Sequence, residues 1–189
     1  MEPINFFKMS GSGNDFIIVD NREDIVKNND LPGFIAQICR RKMSVGADGV
    51  ILIEPSKSAD FKWQFFNSDG SNAEMCGNGA RCAARFAYVN GIAGQNLSFE
   101  TDAGVVSGQV KGERVKLKMP DPVDLNLDYN IELKTGSVTI CSVNTGVPHV
   151  VVMNESIENI DVFNLGSEIR FHEVFEPAGT NVNFICQLV

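Results

Sequence analysis

The sequence predicts an α+β protein of two related units, each a mixed, mostly antiparallel curved sheet around a central helix. Three observations lead there. Short apolar strand patterns outnumber helix patterns along the 189 residues. The second of two helix patterns carries small alanines, so a curved sheet can close tightly around it. Two distant stretches of the chain also resemble each other.

Met9-Ser-Gly-Ser-Gly-Asn14 is a glycine-rich turn, followed by the apolar strand Asp15-Phe-Ile-Ile-Val-Asp20. A helix comes next. Asp30 suits an N-cap, Pro32 the first turn, and Leu31, Phe34, Ile35, Ile38 and Cys39 share one face. Arg40, Arg41 and Lys42 are placed at its C-terminal end, where the helix dipole favours cations. Gly49–Ile53 is a buried strand, and Phe61, Trp63 and Phe65 alternate with Lys62 and Gln64 as a strand with one face on the core. A second helix runs from about Asn78 to Asn90, with Ala83, Phe86 and Ala87 as its apolar stripe and Asn90-Gly91 as its stop.

Strands then follow over Leu97–Thr101, Val105–Val110 and Val115–Met119. Pro120-Asp-Pro122 breaks the pattern and marks a domain boundary, giving units 1–118 and 119–189. Val138–Asn144, Val150–Met153 and Val182–Leu188 are strand-like. Ser12–Val19 aligns with Thr145–Val152, and Asp60–Phe66 resembles Asn181–Leu188. The repeat predicts a duplicated fold whose second copy stops at residue 189.

The composition, 43% hydrophobic and 21% charged, is that of a globular protein, and a net charge of −8 argues against nucleic acid or an anionic membrane as partner. The start lacks a basic region followed by an apolar run, and no apolar run approaches membrane-spanning length. Five cysteines at irregular positions, 39, 76, 82, 141 and 186, do not suit a disulfide framework; free thiols in a reducing cytoplasm are expected. With only His149 and His172 and no Cys-x2-Cys pair, no metal site is expected.

The chemistry concentrates in Asn67-Ser-Asp-Gly-Ser-Asn-Ala-Glu-Met-Cys76-Gly-Asn-Gly-Ala-Arg81-Cys82. It places a cysteine on a polar, glycine-rich turn that opens into a helix. A helix start offers unpaired N–H groups and a partial positive charge, which stabilise a thiolate and hold a small anion beside it. A free cysteine is otherwise an inert small hydrophobe, the role expected of Cys82. Gly11-Ser-Gly13-Asn14 lacks the Lys-Ser/Thr of a phosphate loop and serves to bring the Asn14 amide near something small. Asn67 is either a plain turn residue or an amide donor to the ligand that Cys76 attacks. His149 is either structural or tunes the protonation of a thiol.

The run Asn67-x-Asp-Gly-Ser, then Cys76-Gly-Asn-Gly-x-Arg81, resembles the signature of diaminopimelate epimerases. Gly11–Phe16, Gly46-Ala-Asp48-Gly49, Thr101-x-Ala-Gly104, Gly146-Val-Pro-His149 and Gly179–Phe184 match in the family's order. The resemblance implies interconversion of LL- and meso-diaminopimelate in lysine and peptidoglycan precursor biosynthesis, with no cofactor and no metal. Two cysteines would act on opposite faces of the α-carbon. Cys76 would be one of them and His149 would tune them. Gly77 and Asn78 would hold the substrate carboxylate, and Asn14, Asn67 and Asn181 would touch the substrate.

This chain has Val147 where the family often has Asn, and Gly49 where some members have Gln. The second motif, Glu-Arg followed by Cys-Gly-Thr/Ser-Gly, does not occur in it. The expectation is therefore a truncated second domain, no turnover by these 189 residues alone, and unpaired strand edges that favour association. Homodimers are common among bacterial members. The alternatives are a two-cysteine racemase of the proline or hydroxyproline type, and a non-catalytic binding protein that keeps one half-site.

Overall fold

The computed structural model describes residues 3–26, 30–119 and 121–187. The chain divides into two compact units, Met1–Met119 and Pro120–Val189.

The first unit is a seven-stranded sheet whose strands follow chain order: β1 (Phe7–Gly11), β2 (Asn14–Asp20), β3 (Gly49–Glu54), β4 (Phe61–Asn67), β5 (Asn96–Thr101), β6 (Gly104–Lys111) and β7 (Arg114–Lys118). β2/β3 and β4/β5 are parallel and the other pairs antiparallel. Helix α1 (Leu31–Cys39) connects β2 to β3, and α2 (Gly77–Val89) connects β4 to β5.

The apolar pattern follows from which faces are covered. Phe16, Ile18, Ile51, Ile53, Trp63, Phe65 and Phe99 turn to one side and pack with Ala80, Ala83, Ala84, Phe86 and Ala87 of α2. Ile17, Val19, Val50, Leu52 and Phe66 turn to the other and pack with Ile35 and Cys39 of α1. β2 and β3 are buried on both faces, so they are near-continuous apolar runs, whereas most of β4 alternates. The alanines of α2 are fully buried, and the helix lies close to β1. A Cβ added at Gly11 would stand 2.9 Å from the Asn78 carbonyl oxygen and 3.0 Å from Cys82 Sγ.

The glycine-rich segment Met9–Asn14 is shorter as a turn than the sequence suggests. Residues 7–11 form β1, and the reversal is confined to Ser12 (φ 51°) and Gly13 (φ 93°). Two residues of positive φ between paired strands make the hairpin turn that matches strand twist. Arg41 is not a helix-dipole cation either. α1 ends at Cys39, and Arg41 turns away to carboxylates on β2 and before β3.

The second unit is a four-stranded sheet of β8 (Val123–Leu133), β9 (Gly136–Asn144), β10 (Pro148–Asn154) and β11 (Asn181–Cys186), ordered β11-β10-β9-β8. β10/β11 is parallel and the rest antiparallel. Helix α3 (Val162–Arg170), capped by Asp161 accepting from the Asn164 N–H at 3.0 Å, covers Ile131, Ile140, Val150 and Val152 with Ile169. Neither β8 nor α3 is evident in the sequence. Leu125 and Leu127 of β8 are 64% and 63% exposed, so that strand shows no buried alternation. Leu188, placed in a strand by the sequence, lies outside the described residues.

The two units share a hairpin, crossover helix and parallel strand: β1-β2-α1-β3 in the first and β9-β10-α3-β11 in the second. The alignment of Ser12–Val19 with Thr145–Val152 therefore pairs β2 with β10. The proposed match of Asp60–Phe66 with Asn181–Leu188 is a correction: β11 occupies the place of β3, not β4, because each is the parallel neighbour reached through the crossover helix. Among the described residues no helix is long and apolar enough to cross a membrane.

Gly49 provides a test of this packing. A Cβ there would stand 2.5 Å from the Phe66 carbonyl oxygen and 2.8 Å from the Phe65 ring. Gly49→Ala is expected to lower unfolding free energy by about 2–3 kcal/mol. At Gly94 the nearest atom to an added Cβ, the Asn96 carbonyl oxygen, is 3.7 Å away, so Gly94→Ala is expected to change stability by less than about 0.5 kcal/mol. Urea denaturation of both variants measures the contrast.

Candidate active site

Cys76 is the N-cap of α2. Its backbone is extended (φ −147°, ψ 111°), and its Sγ accepts a hydrogen bond from the Gly79 N–H at 3.4 Å. That role normally falls to the oxygen of Ser, Thr, Asp or Asn. A half-buried sulfur is thus held where the helix presents its positive end. Gly77 and Asn78 are the first helical residues, and their N–H groups have no acceptor within the helix. A Cβ at Gly77 would meet nothing closer than 3.9 Å, so the space beside that residue is uncrowded.

The other cysteines are placed differently. Cys39 and Cys82 are buried, which pushes each thiol up to about 11. Cys141 lies in β9 with Sγ 3.5 Å from an oxygen of Asp128, and Cys186 ends β11.

Asn14 comes to the same place from β2. Its Oδ1 accepts from Asn78 Nδ2 at 2.7 Å, and its own Nδ2 donates to Asp48 Oδ2 at 3.0 Å. Asn78 Oδ1 accepts from the Arg81 guanidinium, which also donates to Ser12 Oγ at 3.0 Å. Asp48 accepts from Arg41 at 2.8 Å and from the Asp15 N–H at 3.1 Å. Arg41 also grips Asp15, at 2.5 and 3.1 Å, and Lys8 lies 3.0 Å from the same carboxylate. The Arg41 guanidinium beside Asp15 holds its carboxyl well below the usual carboxylate range, and the Asn14 amide, with Arg41, lowers that of Asp48.

Asn67 ends β4 at the same end of the sheet, since Phe16, Gly49 and Asn67 lie in register across β2, β3 and β4. Its Nδ2 donates to Ser71 Oγ at 3.0 Å, and its backbone closes the same turn through the Ser71 carbonyl. Gly70 in that turn has φ 87° and a Cβ there would stand 2.3 Å from the Pro32 carbonyl oxygen, so the turn is seated against α1.

The first unit therefore gathers Asn14, Cys76, Gly77 and Asn78, with Asn67 at the same sheet end. His149 and Asn181 belong to the second unit, where they are register partners on β10 and β11. Asn181 Nδ2 donates to the Pro148 carbonyl at 3.2 Å, and the Asn183 amide nitrogen is 3.4 Å from His149 Nδ1. A cavity of about 380 Å³ opens beside them, lined among others by Tyr129, Ser142, His149, Glu176 and Thr180. Among the described residues no group of three or more His, Cys, Asp or Glu side chains is placed to hold a metal ion.

Sequence reasoning gave no site role to Asp48 or Arg81 and assigned Arg41 to the helix dipole. The available signal was Asp48 within Gly46-Ala-Asp48-Gly49, a polar residue just before a buried strand.

The fold is shared with solved structures that include racemases and epimerases. A hydroxyproline epimerase from Agrobacterium vitis superposes with a TM-score of 0.61 at 17% identity, covering 78% of this chain and 50% of that one. A phenazine biosynthesis protein of the PhzF family from Bacillus anthracis superposes with a TM-score of 0.60 at 19% identity, covering 81% of this chain and 56% of that one. The family model for diaminopimelate epimerase matches residues 6–125. The diaminopimelate epimerase of Aquifex aeolicus is 46% identical over 192 residues, covering 96% of this chain and 68% of that protein. The chain belongs to the diaminopimelate epimerase family, whose members are isomerases acting on an amino acid. It spans about two thirds of the curated relative and about half of the superposed structures.

The carboxylate cluster predicts an acid response. Asp15 and Asp48 have folded-state values below their unfolded ones. Their contribution is therefore complete well above pH 4 and is lost as pH falls from about 4 toward the folded values. The urea midpoint should drop over that range, and Asp15→Asn should flatten the drop.

Proposed function

We propose that this chain supplies the Cys76 acid/base of a cytoplasmic epimerase that interconverts LL- and meso-diaminopimelate. The observation that carries the reading is the thiol serving as N-cap, with helix-start N–H groups next to it. The membership of the family supports the substrate. The free thiols and the acidic chain fit a small-molecule enzyme rather than a nucleic-acid or membrane partner.

The α-hydrogen of an amino acid is weakly acidic because the adjacent carboxylate resists further charge. Bound at the start of α2, that carboxylate receives N–H groups from Gly77 and Asn78, which stabilise the charge that develops as the C–H bond breaks. The Cys76 thiolate takes the proton and becomes a thiol, and the electron pair stays on the α-carbon and its carboxylate. Return of the proton from Cys76 regenerates the starting isomer; delivery from the opposite face inverts the centre. A lone base thus exchanges hydrogen with solvent, and a second donor makes the exchange an epimerisation.

Two measurements test this. At pH 8 a thiol pushed up to about 11 is about one part in a thousand thiolate. Iodoacetamide should therefore label Cys76 at least about a hundredfold faster than Cys39 or Cys82, and diaminopimelate should slow that labelling. In D2O the chain should exchange the α-hydrogen of diaminopimelate. Cys76→Ser keeps a cap oxygen for the helix, so it should fold and yet lose the exchange by about 10²–10⁴-fold. Equal, slow labelling of all three thiols, with no exchange, would refute the reading.

A further inference from the structure

The two asparagines beside Cys76 belong to a hydrogen-bond chain with fixed ends. It runs from Arg81 to Asn78 Oδ1, from Asn78 Nδ2 to Asn14 Oδ1, and from Asn14 Nδ2 to Asp48 Oδ2. A guanidinium only donates and a carboxylate only accepts, whereas an amide does both. Between those ends a single orientation of each amide satisfies every link. Turning Asn78 would set its NH2 against Arg81, and turning Asn14 would set its oxygen against Asp48.

We propose that Asp48 is a positioning residue that fixes the order of the Asn14 and Asn78 amides, so that each presents its spare N–H at the start of α2 beside Cys76. Each NH2 group has two hydrogens, and the chain uses one of each. With the N–H groups of Gly77 and Asn78, the position beside the thiol becomes a field of donors. Such a field accepts a carboxylate and disfavours an ammonium group, so a substrate carrying both at its α-carbon is bound one way round. This rests on the reading of that helix start as the carboxylate site.

Asp48 is held for the task. Arg41 takes its other oxygen at 2.8 Å, and Arg41 is itself anchored by Asp15, which Lys8 pairs at 3.0 Å. The Asp15 N–H returns a further bond to Asp48 Oδ2 at 3.1 Å. All three groups that face this carboxylate are donors. In Asp48→Asn the NH2 would meet either Arg41 or both the Asn14 amide and the Asp15 N–H, so the variant keeps the size of the side chain and its end of the chain is no longer acceptor-only.

The test uses the 189-residue chain and two readouts. The first needs no ligand: hydrogen exchange of the Asn14 and Asn78 side-chain amides, followed by ¹⁵N–¹H NMR. Asp48→Asn should speed both by about tenfold or more, while Asp48→Glu, which keeps an acceptor-only end, should recover most of the protection. Asp20→Asn, which breaks the remote Asp20–Arg22 pair, should leave both amides unchanged. A general loosening of the fold would instead speed exchange in Asp20→Asn and Asp48→Glu as well.

The second readout is protection of Cys76 from iodoacetamide by meso-diaminopimelate, with 1,5-diaminopentane, which lacks both carboxylates, as the comparison. Asp48→Asn should raise the concentration of diaminopimelate needed for half protection by about tenfold, the effect of one or two hydrogen bonds to a charged group. Diaminopentane should not protect either protein. Unchanged amide exchange in a folded Asp48→Asn would overturn the proposal, as would wild-type protection in that variant. Failure of diaminopimelate to protect the wild type, with its amides still slow to exchange, would refute the carboxylate reading instead. The exchange rates of Asp48→Asn would then decide the positioning alone.

Discussion

The first unit depends on how closely α2 can lie within its sheet. A helix with leucine or phenylalanine on every inward position would stand off by the length of those side chains. Here Ala80, Ala83, Ala84 and Ala87 are fully buried, and Gly79 lies so close to the sheet that an added Cβ would already stand 3.3 Å from Ile51 and 3.5 Å from Phe16. The large groups are supplied by the strands instead, among them Phe16, Phe65, Trp63 and Phe99. Volume is conserved across the interface while the helix axis moves inward. The consequence is positional. The first turn of α2 is brought level with the β1–β2 hairpin, so the Asn14 side chain on a strand can bond the Asn78 side chain on a helix. A longer side chain at Gly11 would push against the Asn78 carbonyl and separate them.

Close packing also explains why the site needs so much charge to hold three small side chains. At the rim of a tight apolar core, an amide has few places to put its donors and acceptors, and each unsatisfied one is costly. The chain between Arg81 and Asp48 satisfies them in series. Its anchoring cations, Arg41 and Lys8, are partly solvent-exposed, and ion pairs of that kind contribute little to stability. Orientation is the better account of such a cluster. It converts two symmetric-looking amides into a directed surface beside the Cys76 thiol.

Much of this was legible in the sequence, and the exceptions have physical causes. Asp30 and Pro32 announced α1, and Asp30 does cap it, accepting from Gly33. Cys76 on a polar turn before an alanine-rich helix announced the thiol at a helix start. β1 was hidden because its residues are mostly exposed, and β8 because its outer leucines face solvent rather than a core. The relay was hidden for another reason. Arg41 follows a helix in the sequence, and a cation there is ordinarily explained by the helix dipole. Its partners Asp15 and Asp48 are 26 and 7 residues away and meet only because β2 and β3 pair in parallel with Phe16 opposite Gly49. Long-range register of this kind leaves no local periodicity to read.

The internal repeat sharpens the point. β2-α1-β3 and β10-α3-β11 have the same connectivity, and in each a glycine of positive φ packs against an arginine that follows or ends the crossover helix: Gly46 on Arg41, and Gly179 on Arg170. The shared scaffold delivers those arginines to different work. Arg41 meets two carboxylates, whereas Arg170 donates to the Thr180 carbonyl, because Pro148 and Thr180 stand where Asp15 and Asp48 stand in the first unit. One copy thus builds an ionic clamp that sets the direction of its amides. The other pairs Asn181 with His149 in register, with the imidazole beside the Asn183 amide. A backbone duplicated with its turn glycines intact leaves the polar residues at the strand ends free to diverge, and those residues, rather than the fold, separate the chemistry of the two units.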